Sequence, residues 1–250
     1  MQSQQFDDLT EVYEVMIDWP RRLANEGPFY RELFQRIGAQ RVLDAACGTG
    51  HHAAVFHGWG LHVQAADISP TMLRLAREQF GAPPGLDWTL RGFDQPVDQP
   101  PFDAAVCIGN SLALAARRPA ALATIGNLLA AVRSGGVVVI HLLNLWRLAE
   151  GQPVWQKCQR KQLAQGDSLI IKGVHRCGAH GYVDLLVTLL SASPPVFRSD
   201  CVPFWALQAA ELEAAARSAG AATVELLGDY QRQPYAPQTS PDLIMVASKG

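Results

Sequence analysis

The sequence predicts a doubly wound α/β fold: a mostly parallel sheet wrapped on both faces by helices, with an antiparallel last strand and a small antiparallel cap insertion. Three observations carry this. Short apolar runs alternate with helix-patterned stretches between residues 41 and 143, the first run ends in the tight turn Gly48-Thr49-Gly50, and two strand-like runs close the chain with no helix between them. Alternation at this spacing calls for parallel strands joined by right-handed crossovers. Two strands joined by a loop alone pair antiparallel.

Residues 41–46 (RVLDAA) read as a buried strand, and a helix follows through Ala53, Val55 and Phe56. LHVQAAD at 61–67 is the second strand. Ser69-Pro70 then supplies an N-cap and a first-turn proline for a helix bearing Met72, Leu73, Leu75, Ala76 and Phe80. LDWTLRG (86–92) and FDAAVCIG (102–109) are the next strands, separated by a loop rich in Pro and Asp. Pro119 opens a helix with Ile125, Leu128, Leu129 and Val132 on one face, Ser134-Gly135-Gly136 ends it, and VVVIHLL is the fifth strand. After about residue 150 the pattern changes. SLIIKGVHR (168–176) and YVDLLVTLL (182–190), on either side of Cys177–Gly181, read as an antiparallel pair. An Ala-rich helix over 207–220, stopped by Gly220, precedes TVELLGDYQ and DLIMVASK. The expected organisation is an N-terminal lid and α/β core over 1–150, a cap over 151–204, and a C-terminal helix and hairpin over 205–250.

With 250 residues and 48% hydrophobic content, the chain can bury a core of its own. A net charge of -2, with only 18% charged residues, supplies no basic field for nucleic acid or anionic lipid, so a small-molecule partner is expected instead. The five cysteines are an odd number without a C-x-x-C pair, which indicates neither a disulfide framework nor a zinc site. No apolar run approaches the ~18 residues of a membrane span, and no leader pattern opens the sequence, so a cytoplasmic location is expected. Association into a homo-oligomer is left open.

Gly48-Thr49-Gly50-His51-His52-Ala53 fits G-x-G-x-x-A, a weak dinucleotide fingerprint, in a strand-turn-helix context. Asp44, at the end of the preceding strand, sharpens it. A carboxylate aimed into the crevice would repel a pyrophosphate but suits a cationic group, such as a sulfonium cofactor bearing an α-ammonium. Asp67, at the tip of the second strand, can accept from both hydroxyls of a ribose. The plainer alternatives are a turn-capping carboxylate for Asp44 and a helix-start acid for Asp67.

These segments resemble the class I S-adenosylmethionine-dependent methyltransferases. VLDAACGTG, AADISPTML, GFD at 92–94, FDAAVCIGNSLAL and LLAAVRSGGVVVI match in order, over roughly residues 11–145 and again at the last strands. Through YEVMIDWPRRLANEGPF, CIGNS and GDYQRQPY the chain is most similar to the glycine and sarcosine N-methyltransferase-like group. The resemblance implies a Rossmann-like sheet of seven strands and S-adenosylmethionine as cofactor. It places Asp44, Ala46, Gly48 and Gly50 along the methionine end, Asp67 on the ribose, Ile68 and Met72 beside the adenine, and Phe93 and Asp94 at its stacking and amino-group positions. It also implies that Ile108, Gly109 and Asn110 floor the methyl donor, while Tyr13, Trp19 and Arg22 close over it, with Arg22 on the methionine carboxylate.

The resemblance thins after the fifth strand. Leu143 falls where glycine-specific relatives carry an arginine for the substrate carboxylate, which argues against glycine unless Arg147 swings in. His141, at the carboxyl end of that strand, reads either as a general base, with Asn110 beside it, or as a histidine bonded to a neighbouring loop. His51 and His52 read as helix-start residues, and Lys157 to Lys161 as a solvated face. The expected activity is methyl transfer to a small partly apolar acceptor, nitrogen before oxygen. An NAD-dependent oxidoreductase and a non-catalytic cofactor-binding protein are the alternatives.

Overall fold

A computed structural model describes residues 10–97 and 101–250; residues 1–9 and part of the Pro- and Asp-rich loop lie outside it. After a helical segment over 10–16, the chain forms α1 (Trp19–Arg36), β1 (Arg41–Asp44), α2 (His51–Gly58), β2 (His62–Asp67), α3 (Pro70–Phe80), β3 (Leu86–Leu90), β4 (Phe102–Cys107), α4 (Arg118–Ala131) and β5 (Val132–Leu143). A second antiparallel unit follows, β6 (Val154–Leu163), β7 (Gly166–Cys177), β8 (His180–Leu189) and β9 (Val196–Trp205), and then α5 (Ala209–Ser218), β10 (Ala221–Leu227) and β11 (Asp242–Lys249).

The main sheet has seven strands in the order β10-β11-β5-β4-β1-β2-β3, and β11 is antiparallel to both neighbours, as expected. From β1 the chain winds outward through β2 and β3, then returns to place β4 on the other flank of β1. That reversal leaves a crevice at the carboxyl ends of β1 and β4, where open α/β sheets bind ligands.

Alternation along the central strands builds two cores, one per face. Val42, Val106, Val139 and Ile244 pack under α1 and α2, while Leu43, Ala105, Ile140 and Met245 pack under α4 and α5. Local signals set the helix starts. Asp18 accepts the Arg21 N–H at 3.1 Å, Ser69 accepts that of Met72 at 3.1 Å, and Gln208 with Glu211 forms a reciprocal capping box ahead of α5.

Two boundaries depart from the sequence reading. Ser134-Gly135-Gly136 does not end a helix; it lies within β5, which begins at Val132 opposite Phe102 and carries a bulge there. A Cβ on Gly136 would stand 2.8 Å from the carbonyl oxygens of Arg133 and Asp103, so the glycine serves close strand approach rather than helix termination. The cap has four strands in the order β6-β7-β8-β9, not the two anticipated. Its edge strands, VWQKCQRKQL and VFRSDCVPFW, alternate polar and apolar residues so weakly that a scan for apolar runs passes over them.

The cap is tied to the rest of the chain from two sides. Trp146 Nε1 donates to Leu207 O at 3.1 Å, joining the segments that enter and leave the cap, while from within the cap Trp205 Nε1 donates to Ala115 O at 2.9 Å and Lys157 Nζ to Met16 O at 2.8 Å. The last bond shows that Lys157 is not part of a solvated face. Val12 and Met16 of the N-terminal helical segment pack on Leu163, Ile170, Leu185 and Val187 of the cap sheet. The segment therefore bridges the cap and the crevice. Among the described residues no helix is long and apolar enough to cross a membrane.

Candidate functional site

The turn after β1 takes a left-handed backbone at two glycines, for different reasons. Gly50 (φ 85°) packs against Trp88, whose ring would lie 2.5 Å from an added Cβ. Gly48 (φ 54°) has nothing within 4 Å of that position, so its bare face opens onto the crevice. Asp67 orders this turn. One carboxylate oxygen accepts Gly48 N at 2.8 Å and the other accepts Ser69 N at 2.9 Å, which joins the first loop to the start of α3. The helix-start role of Asp67 is thus realised alongside its place at the crevice.

Asp44 is 1% exposed, and its Oδ1 has no hydrogen-bond partner. Burial is the largest influence on its carboxyl; with the Asp67 charge it outweighs the Ala46 N–H and the Arg22 charge and pushes the pKa up to about 7. An orphaned buried carboxylate oxygen is costly and calls for a cationic or donor partner. Arg22 faces the same space from α1. Its Nε donates to Glu26 at 2.8 Å, and a terminal nitrogen lies 3.4 Å from where a Cβ on Gly109 would stand.

Arg22 is held by a network that sequence reasoning missed. Glu26 takes Arg22 on one oxygen and His52 Nε2 on the other, at 2.7 Å. Burial would raise the Glu26 carboxyl, yet the His52 bond and the Arg22 charge hold it down at about 2. Tyr13 bonds Arg22 from the other side, and burial pushes its phenol up. Next to this network, Glu14 accepts Thr49 Oγ1 at 2.8 Å and meets His51 Nε2 at 2.6 Å, while Trp19 stacks on the His51 ring with centroids 3.9 Å apart. His51 therefore fastens the N-terminal segment over the glycine turn, and His52 fastens α1 there. Their signal was two histidines directly after the second glycine, which helix-start statistics treat as neutral.

The opposite wall is the loop after β4. Ile108 is buried, Gly109 (φ 77°) and Asn110 (φ 72°) are left-handed, and Asn110 Oδ1 accepts Leu143 N at 3.1 Å. His141 completes this wall: its Nδ1 accepts Gly109 N at 3.2 Å and its Nε2 faces Asp242 Oδ1 at 3.3 Å. His141 thus contacts protein groups at both ring nitrogens, the arrangement the loop-bonded alternative describes, beside the wall where a general base would stand. At the outer rim, Ile68 is 52% exposed, Met72 is buried beneath α3, and Phe93 is half-buried. Asp94 is exposed, its Oδ1 2.6 Å from the position of a Cβ on Gly92. Ala46 lines the turn half-buried, and Arg147 is exposed. A separate depression of about 500 Å³ lies between α1 and α2, against Leu23, Gly27 and Trp59, and contains none of these groups.

Residues 42–136, which hold the turn, Asp67 and the β4 loop, match the family described as a methyltransferase domain. Over these residues the chain is similar to methyltransferase domains. Among curated proteins, a glycine/sarcosine N-methyltransferase of Parasynechococcus marenigrum is 31% identical over 156 residues, 60% of this chain and 54% of that protein. A malonyl-[acyl-carrier protein] O-methyltransferase of Pectobacterium atrosepticum is 35% identical over 125 residues, 49% of this chain and 46% of that protein. The chain thus spans about half the length of the curated relatives it matches. The domain and the cap together share the fold of an amino pentose methyltransferase from Micromonospora echinaspora, with TM-score 0.74 at 21% identity over 94% of this chain and 92% of that one.

Proposed function

We propose that this protein transfers a methyl group from S-adenosylmethionine to a small-molecule acceptor, on an amine nitrogen. The observation that carries the reading is the orphaned Asp44 Oδ1, which feels the Arg22 charge, beside a turn whose Gly48 face is open. A buried acid and a half-buried guanidinium lining one crevice suit a zwitterion, and the methionine end of the cofactor is one. A pyrophosphate would meet Asp44 with like charge, which weighs against NAD.

The residues fit this cofactor in detail. Asp44 would accept the α-ammonium and Arg22 would hold the α-carboxylate. Asp67, oriented by its two backbone donors, would hold the ribose hydroxyls. Ile68, Met72 and Phe93 would flank the adenine, with Asp94 at its amino group, and Ala46, Gly48 and Gly50 would shape the turn along the methionine end. When bound, the cofactor supplies a methyl group already activated on a sulfonium. What remains for the protein is alignment and exclusion of water. Ile108, Gly109 and Asn110 form a rigid floor because His141 and the Leu143 amide fix that loop. Tyr13 and Trp19 close over the top, locked by the Glu14 bonds to Thr49 and His51. An amine acceptor attacks as the neutral base and sheds its proton to solvent, so the chemistry needs no dedicated general base.

The nitrogen preference draws support from relatives named for glycine, sarcosine and an amino pentose; the relative named for malonyl O-methylation keeps oxygen as the second reading. The four-stranded cap, reached through the floor and the N-terminal segment, is the acceptor-side unit in this reading. The five unpaired cysteines suit a reducing, cytoplasmic setting. The test is a panel of amine and phenol metabolites incubated with enzyme and methyl-labelled S-adenosylmethionine, with mass detection. Label on a nitrogen is expected. Label on oxygen alone would overturn the nitrogen assignment, and no label on any acceptor would favour a cofactor-binding protein without turnover.

A further inference from the structure

The cap sheet carries a cationic group that the cofactor reading does not use. Lys157 on β6 and Lys172 on β7 are direct cross-strand partners, and strand alternation places them on the same face as Ile170 and Leu185, which the N-terminal segment covers. Like charges directly opposite on a sheet repel. Lys157 has a partner in the carbonyl of Met16, at 2.8 Å. Lys172 makes no hydrogen bond or ion pair among the described residues, although it is half-buried and faces the Arg22 charge. Burial, with the Lys157 and Arg22 charges, pulls its ammonium down to about 8. An ammonium without a partner among the described residues, set opposite a second lysine and within reach of the Arg22 charge on one half-buried face, is a receptor for an anion.

We infer that the inner face of the cap sheet around Lys172 and Lys157 binds an acidic group, a carboxylate or a phosphate, carried by the methyl acceptor. The inference rests on the methyltransferase reading and deepens it. The acceptor is then an amine that bears an anion, held from the cap rather than from the end of β5, where Leu143 stands. This separates two properties that the Leu143 position alone conflates: loss of the β5 contact excludes one way of holding a carboxylate, and Lys172 supplies another.

The test uses the full chain with ε-¹³C-labelled lysine, saturated with S-adenosylhomocysteine, with the Lys172 signal assigned by comparison with Lys172→Arg. Inorganic phosphate and benzoate are titrated separately, which distinguishes the two anion sources. A saturable shift of the Lys172 signal with at least one of them is expected. By calorimetry, the responding anion should bind Lys172→Met at least about tenfold more weakly, as loss of a charge-assisted bond implies, with recovery in Lys172→Arg. A Lys172 signal unmoved by both anions, or equal affinity in Lys172→Met, would overturn the inference. Thermal melting of both variants checks the fold. Failure of S-adenosylhomocysteine itself to bind would instead overturn the methyltransferase reading, so the two failures are distinguishable.

Discussion

Replacing Asp44 by Asn removes a charge that the free protein holds at a loss. Burial pushes this carboxyl from 3.8, its ordinary value, up to about 7. An acid with a raised folded-state pKa binds its proton more tightly when folded, so stability falls as pH rises from about 4 to about 7, the reverse of the usual aspartate. At about 1.36 kcal/mol per pH unit, the ionised carboxylate opposes folding by about 4 kcal/mol above pH 7, and by roughly half that near pH 5.5. The neutral Asn avoids this. Asp44→Asn is therefore expected to be more stable than the parent at about pH 8, with the gap closing towards about pH 4. The assay is urea denaturation of both proteins across that range without ligand. In the same samples S-adenosylhomocysteine should bind Asp44→Asn more weakly, because the acid that would meet its ammonium is gone, and affinity for the parent should rise with pH through about 7. A variant no more stable than the parent at pH 8, or one that binds the ligand equally well, would refute the argument that Asp44 is kept charged for a ligand.

Other outcomes follow from single observations. Glu26 is held at about 2 by His52 and Arg22, so its contribution is present above about pH 4.5 and lost as pH falls; Glu26→Gln should destabilise the protein by about 3 kcal/mol at neutral pH, read by denaturant melting. Gly50→Ala drives a Cβ to within 2.5 Å of Trp88 at φ 85° and should cost about 2 kcal/mol or more in stability. Gly48→Ala faces open space, so it should cost about 1 kcal/mol while weakening S-adenosylhomocysteine binding, measured by calorimetry. His141→Ala should destabilise by about 1 to 3 kcal/mol by orphaning the Gly109 N–H, and the pH profile of methyl transfer should keep its shape. A profile that changes shape in the variant would assign His141 as the base.

The main sheet was legible because its elements agree at every level. VLDAA, VQAAD and VVVI are apolar runs with room only for strands, and Ser69-Pro70 marks a helix start by capping chemistry that the structure reproduces. The crevice was legible for the same reason: a strand, a glycine turn and an acid at each of two strand tips leave few other arrangements. What escaped was set by contacts distant in sequence. Nothing within residues 51–52 announces Glu14 and Glu26 as their partners, 37 and 26 positions away. His141 has an unremarkable position in an apolar strand, and only the pairing of β5 with β11 brings Asp242 to its Nε2. The outer cap strands hid because edge strands carry charge, and Lys157 to Lys161 has the same composition whether it is solvated or packed.

The most direct measurement is calorimetric titration of the purified chain with S-adenosylhomocysteine and, separately, with NAD. Saturable one-to-one binding of S-adenosylhomocysteine, lost or weakened in Asp44→Asn and in Arg22→Met, with no heat from NAD, is the predicted result. Binding of NAD without binding of S-adenosylhomocysteine would contradict the account at its centre.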